Sequence, residues 1–171
     1  NHVKKVILNT GSVKTKIHVV PEWHYEQIDL DPKSLSSVDI EFSTPFNFLC
    51  IAQFTGSSPE TDRKNLFNTI KSFCEEFKDD KDVGLILKTN HGRGTMIDRE
   101  ITRNVMRRTL GEVRKGSYPK VHLIHGNLSS DEVISLYRHD QVKALISLTR
   151  GEGLGLPLLE ASACKLPVIA T

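Results

Sequence analysis

From residue 46 onward, short apolar runs alternate with segments whose apolar residues recur every three or four positions. That is the pattern of a parallel sheet covered by helices on both faces. Residues 46–52 predict a first strand. After a polar stretch over 55–61 containing Gly, Ser and Pro, the residues Leu66, Phe67, Ile70, Phe73, Cys74 and Phe77 predict a helix with one buried stripe. Residues 83–87 predict a second strand, and Ile97, Ile101 and Val105, four apart, predict a long helix behind it. Residues 121–125 predict a third strand. Ser129 and Glu132 form a capping-box signature for the next helix, with Val133, Leu136 and Tyr137 as its inner face. Residues 144–148 predict a fourth strand, and 168–170 a fifth. Between them a glycine-rich turn leads into a helix beginning near Pro157, a residue suited to a first helical turn.

The first 45 residues are patterned differently. Residues 3–8 with Gly11 behind them predict a short helix and its cap, and 16–20 a short strand ended by Pro21. Residues 22–45 read as a connection rather than a second core. No internal repeat or low-complexity segment is present.

A chain of 171 residues suits one well-packed domain. Its formal charge of +2, from 23 basic and 21 acidic residues, excludes a dedicated nucleic-acid binder, so any anionic partner must be met locally. With 38% hydrophobic and 26% charged residues and no long apolar run, the sequence is that of an ordinary globular domain. Cys50, Cys74 and Cys164 are odd in number, widely spaced and without a C-x-x-C pair, which fits small buried side chains in a reducing compartment. No secretory h-region follows Asn1, and the sequence begins without Met and stops just after its fifth predicted strand. The expectation is a piece of a longer protein.

The densest chemistry lies between Arg150 and Glu160. A strand, a turn with Gly151, Gly153 and Gly155, and a helix start bring backbone N–H groups and the positive end of a helix to one spot, where a phosphate is the natural guest. Glu152 and Glu160 flank that turn with seven residues between them. Carboxylates would repel phosphate, but each can accept from two vicinal hydroxyls, so sugar and ribose hydroxyls are the sensible partners.

These residues carry a resemblance. The run Glu152-Gly-Leu-Gly-Leu-Pro-Leu-Leu-Glu160-Ala-Ser-Ala-Cys-Lys-Leu-Pro-Val-Ile-Ala-Thr171 is similar to the signature of the retaining, nucleotide-sugar-dependent glycosyltransferases of the family-four, or group 1, type. Residues 126–137 resemble that family's G-x-L-S-x-x-E-L-x-x-L-Y helix, Asp62-Arg63-Lys64-Asn65 its R-K-N element, and residues 16–21 its interdomain segment.

The resemblance implies the donor-binding, Rossmann-like domain of a two-domain GT-B enzyme over residues 46–171, with 1–45 as interdomain helix and linker. It implies a doubly wound sheet of five to six strands in the order 3-2-1-4-5, whose switch point brings the loops carrying Lys64 and the Glu152 to Glu160 turn to one crevice. Carried over by motif, Glu160 would hold the donor ribose and Glu152 the transferred sugar, these being donor-binding and catalytic roles respectively. Lys64, catalytic, would neutralise the leaving diphosphate together with the amides of Gly153, Leu154, Gly155 and Leu156. Gly126, Asn127 and Leu128 would meet the base through backbone, and Gln53 and Arg63 would complete the donor site. The implied substrate is a nucleoside diphosphate sugar, with no metal and no other cofactor, and the implied partner is a glycan or lipid-linked acceptor held by an absent amino-terminal domain. Surface-polysaccharide assembly in the cytoplasm, at the inner face of a membrane, is the implied setting. His122 and His125 sit in a strand pattern that favours burial over metal ligation.

The sequence departs from the family pattern at several places. Ala52-Gln53 stands where the family carries Gly-Arg, which removes one positive charge from the diphosphate, and Arg63 is the candidate substitute. Lys88-Thr89-Asn90 replaces the usual Gly-x-Gly. Lys165 occupies a helix-end glycine position, and Pro21-Glu22-Trp23 replaces Pro-Asn-Gly. Arg99, Arg103 and Arg107 form a basic stripe that suits solvent or an anionic membrane surface. Two other readings remain: another GT-B synthase, glycogen-synthase-like or sugar-phosphate-forming, and an inactive nucleotide-binding scaffold.

Overall fold

The computed structural model describes residues 2–20, 26–29 and 38–171. In chain order the helices are α1 (His2–Asn9), α2 (Leu66–Glu76), α3 (Met96–Val113), α4 (Ser130–Tyr137) and α5 (Leu156–Ala163), with one 3-10 turn at Glu26–Asp29. The strands are β1 (Phe46–Ile51), β2 (Val83–Thr89), β3 (Lys120–His125), β4 (Val142–Ser147) and β5 (Val168–Ala170). They pair in parallel throughout, in the order β3-β2-β1-β4-β5. This is the α/β, Rossmann-like doubly wound sheet that the sequence predicts, with five strands.

Alternation along each strand feeds two cores. Cys50, Leu85 and Leu87 pack on one face with Leu66, Ile70 and Phe73 of α2 and Met106 of α3. Leu49, Ile86 and Leu145 pack on the other with Leu136 and Tyr137 of α4 and Ala161 of α5. Parallel strands covered on both faces need apolar residues at successive positions, and β2 is buried from Gly84 through Thr89.

The ends of the helices follow local rules. Thr95 with Asp98, and Ser129 with Glu132, form reciprocal capping boxes at the starts of α3 and α4. Lys165 closes α5 at φ +62°, in a turn where its N–H donates to the Ser162 carbonyl and that of Leu166 to Ala161. This is a Schellman cap with lysine in the left-handed position that glycine usually takes.

Three expectations are corrected. Residues 16–20 form no strand; they lie unpaired and largely exposed, because no sheet edge is there to receive their N–H and C=O groups. Helix α3 turns Thr102, Met106 and Thr109 inward, while Ile97 and Ile101 are 74% and 45% exposed. Both threonines donate their hydroxyls to carbonyls one turn back, Asp98 and Val105, and so can be buried without leaving a polar atom unpaired. On α4 Ile134 is buried together with the expected Leu136 and Tyr137, whereas Val133 is only partly covered.

Upstream, α1 forms as expected but buries no residue, and Gly11 follows it at φ +69°. Ile28, Ile40 and Phe42 pack on the domain, with Phe42 in the α4 and α5 core. Gln141 holds that approach by accepting from the Phe42 N–H and donating to the Phe42 and Thr44 carbonyls. The Pro21-Glu22-Trp23 departure lies outside the described residues.

Candidate functional site

The connections after β1 and β4 leave toward opposite faces of the sheet, so a crevice opens at the carboxyl ends of these strands. Asp62 organises the loop after β1. It is fully buried and accepts from Thr55 N–H at 3.1 Å, Thr55 Oγ1 at 2.7 Å, Lys64 N–H at 3.2 Å and Leu66 N–H at 2.7 Å. The last bond caps α2, whose own N-cap residue Asn65 is left-handed at φ 58° and makes no side-chain cap. Asn65 instead donates to the Leu148 carbonyl at 2.9 Å, and Arg150 N–H donates to the Arg63 carbonyl at 3.0 Å. Asp62 therefore sets the loop, and Asn65 and Arg63 tie it to the end of β4. We expect Asp62→Asn to destabilise the domain by about 1–3 kcal/mol, the cost of leaving a buried donor unpaired, as read by chemical denaturation.

This bracing brings Arg63, Lys64 and Glu152 together. Lys64 Nζ donates to Glu152 Oε1 at 2.5 Å, and the two side chains are only 18% and 21% exposed. Arg63 Nη1 donates to the Gly151 carbonyl at 2.6 Å and lies 3.8 Å from Glu152 Oε2. The resemblance implies Glu152 for the sugar and Lys64 for the diphosphate; without a ligand, each neutralises the other.

Gly153 and Leu154 are exposed, and Gly155 starts α5 from a left-handed conformation at φ 78° with no side-chain cap. Only glycine takes that conformation cheaply, and a Cβ there would meet Leu158 Cδ1 at 3.0 Å. The start of α5 thus lacks the side-chain acceptor that α3 and α4 possess; Pro157 carries no N–H and the Leu158 and Leu159 N–H groups donate to the Gly155 carbonyl at 2.8 and 3.2 Å, which leaves the Leu156 N–H for a ligand.

Glu160 stands apart from that cluster. It is 4% exposed, accepts the Tyr137 hydroxyl at 2.9 Å through Oε2, and leaves Oε1 buried without a partner among the described residues. Burial raises its pKa above the ordinary carboxylate value, and the Tyr137 bond opposes that rise.

Gln53, Asn127 and Leu128 meet at a third place, an open cleft of about 230 Å³ that Lys88, Thr89 and Asn90 also line. Gly126 turns into it at φ 109°, its N–H donating to the Thr89 carbonyl at 3.2 Å. Asp62, Lys88 and Tyr137 were not singled out as site residues by the sequence. An acidic residue two positions before Lys64 was the available signal for Asp62, and a lysine ending an apolar strand that for Lys88.

The other titratable candidates are structural. Burial pushes the Cys50 thiol up to about 12, which makes it inert, and Cys74 is likewise raised. His122 lies against Thr44 Oγ1 at 3.0 Å, and burial lowers its pKa. Among the described residues no group of three His, Cys, Asp or Glu side chains could hold a metal ion, and no helix is long and apolar enough to cross a membrane.

The residues that build α5, its glycine turn and the Tyr137 contact fall within one stretch of recognised sequence. Residues 112–171 match the family model of the glycosyl transferases, group 1. The resemblance carried by the Glu152 to Thr171 run is thereby borne out. No curated protein sequence matches the chain. Among solved structures, the C-terminal domain of a glycosyl transferase group 1 family protein from Francisella tularensis aligns with a TM-score of 0.55 at 19% identity, over 82% of this chain and 69% of that one. An E. coli structure of trehalose-6-phosphate bound with UDP-2-fluoro glucose aligns with a TM-score of 0.52 at 11% identity, over 75% and 29%. An alpha,alpha-trehalose-phosphate synthase (UDP-forming) from Burkholderia xenovorans in complex with glucose-6-phosphate aligns with a TM-score of 0.52 at 13% identity, over 75% and 29%. At these identities the likeness is one of fold. The chain spans less than a third of the length of the trehalose-phosphate synthase structures it matches.

Proposed function

We propose that this chain is the donor-binding domain of a retaining glycosyltransferase, taking a nucleoside diphosphate sugar and serving an acceptor held by a second domain. The observation that carries the reading is a helix start without a side-chain cap beside a paired lysine and glutamate at one crevice, and a buried carboxylate on that same helix, with one oxygen unpartnered among the described residues, adds to it. Each has a matching part of the donor. The Leu156 amide with those of the preceding glycine turn, and Lys64, suit the diphosphate, Glu160 Oε1 suits a ribose hydroxyl, and Glu152, once released from Lys64, suits a hydroxyl of the transferred sugar.

The chemistry follows from charge. As the bond between the anomeric carbon and the diphosphate breaks, positive charge grows on the sugar and negative charge on the β-phosphate. Fixed amides and an ammonium aimed at that phosphate stabilise the second without reorganising, and Glu152 faces the first. Hexosyl transfer to a glycan or lipid-linked acceptor during polysaccharide assembly is the setting that the resemblance favours, and the Arg99, Arg103 and Arg107 stripe suits an acceptor at an anionic surface. Arg103 is already paired with Glu100 at 2.7 Å, which reduces the charge it can offer.

Glu152→Gln separates the two roles. Lys64 loses its internal partner, so affinity for nucleoside diphosphate should rise about two- to fivefold, the worth of a partly exposed ion pair, while affinity for the complete nucleotide sugar should not. Calorimetry with both ligands reads the difference.

A thermal-shift screen of UDP, GDP, ADP and their sugars, with and without EDTA, tests the reading. Saturable stabilisation that survives EDTA is expected, because Lys64 and the α5 amides are assigned the cationic work. A strict requirement for Mg²⁺ or Mn²⁺ would contradict that assignment, and no stabilisation by any of the nucleotides would contradict the reading itself.

A further inference from the structure

Lys88, the penultimate residue of β2, lies beside Ile51 of β1, on the face of the sheet that α4 and α5 cover. It is only 8% exposed, and its Nζ donates to the Gly126 carbonyl at 2.7 Å. An ammonium has three protons to donate, and among the described residues no other partner and no carboxylate within ion-pair distance meets this one. Thr89 Oγ1, next along the chain, is buried and also lacks a partner. A buried cation satisfied by a single neutral carbonyl is costly to keep, and its desolvation lowers the lysine pKa. Lys88 and Thr89 both line the open cleft whose walls include the apolar side chains of Ile51, Ala52, Leu128 and Val133.

Those walls suit a flat ring better than a diphosphate, for which Lys64 and the start of α5 provide a separate place. We infer that the Lys88 cleft receives the base of the donor nucleotide and selects one with a ring carbonyl, uracil O4 or guanine O6, where cytosine and adenine carry an amine. An ammonium can only donate. A carbonyl completes its hydrogen bonding, whereas an amine brings a second donor against it and leaves both unsatisfied.

This inference rests on the donor-binding reading, and its test keeps the two separable. Calorimetry on residues 1–171 would compare UDP with CDP, GDP with ADP, and inorganic pyrophosphate alone. UDP should bind at least tenfold more tightly than CDP, or GDP than ADP, and the arm showing the preference identifies the base. Lys88→Met should erase that preference and leave pyrophosphate binding unchanged. Equal binding within both wild-type pairs would overturn the inference while leaving the donor site standing, and this comparison needs no variant to fold. A Lys88→Met protein that retains the wild-type circular dichroism but loses pyrophosphate along with every nucleotide would overturn it too, by putting Lys88 at the phosphates. No binding of any of the five ligands would remove the donor-binding reading and the inference with it.

Discussion

Lys64→Ala, placed in a chain that also carries an acceptor-binding half, lowers the rate of glycosyl transfer by about 10²–10³-fold, as loss of one preorganised donor to a developing anion does. In the unliganded domain Lys64 is held at 2.5 Å by Glu152, which fixes its ammonium at the crevice before the donor arrives. In the proposed reading, a diphosphate, carrying more charge than one carboxylate, would draw the ammonium away and free Glu152 for the sugar. The alanine variant should therefore lose rate more than donor affinity, because the charge on the leaving phosphate grows during the reaction. Initial rates over a range of donor concentrations separate the two. Equal loss in the apparent donor affinity with an unchanged limiting rate would mean that Lys64 only holds the ground state.

Glu160→Ala weakens nucleoside diphosphate binding by about 1.5–3 kcal/mol, the range for hydrogen bonds to a charged acceptor. In the proposed reading, the Oε1 that is buried without a partner among the described residues is the acceptor that a ribose hydroxyl would complete. The same burial gives a pH signature. A carboxyl group whose folded pKa lies above its unfolded value, as that of Glu160 does, takes up protons on folding. Its contribution to stability is present below the unfolded value and falls away as pH rises through the folded one. Glu160→Gln should remove that decline and raise the melting temperature more at pH 8 than at pH 5. Nucleotide affinity of the parent protein should increase over the same rise in pH, as the carboxylate forms. Melting curves at the two pH values, with and without nucleotide, measure both.

The parts of this fold written as periodic apolar residues were readable in advance. The five strands, the capping box that opens α4 and the glycine turn before α5 need only local rules, and each forms within a residue or two of its expected place, whereas the second capping box, Thr95 with Asp98, was not anticipated. The inner face of α3 was not readable, because Thr102 and Thr109 look polar in a sequence and become acceptable in a core only through bonds to their own helix. The strand expected over residues 16–20 had the right composition but no partner, and a strand exists only by pairing. At the proposed site, Glu152, Glu160 and Lys64 are the residues that a motif marks. Asp62 escaped notice because its role is to accept four bonds from a loop whose path no periodicity describes. Lys88 was noticed only as a departure from a glycine pattern, and its importance depends on a contact with Gly126, which lies 38 residues further along the chain.

The central claim is that a nucleoside diphosphate sits at the carboxyl ends of β1 and β4, between Lys64, the start of α5 and Glu160. A heteronuclear NMR titration of residues 1–171 with UDP and GDP tests it most directly. The account predicts saturable shifts in the amides of Lys64, Leu156, Glu160 and Gly126 to Leu128, with little change in α1 or at the opposite ends of the strands. Saturable shifts confined to any other surface, or none at all up to roughly 10 mM nucleotide, well beyond the weak millimolar binding expected of one half of a two-domain site, would contradict it.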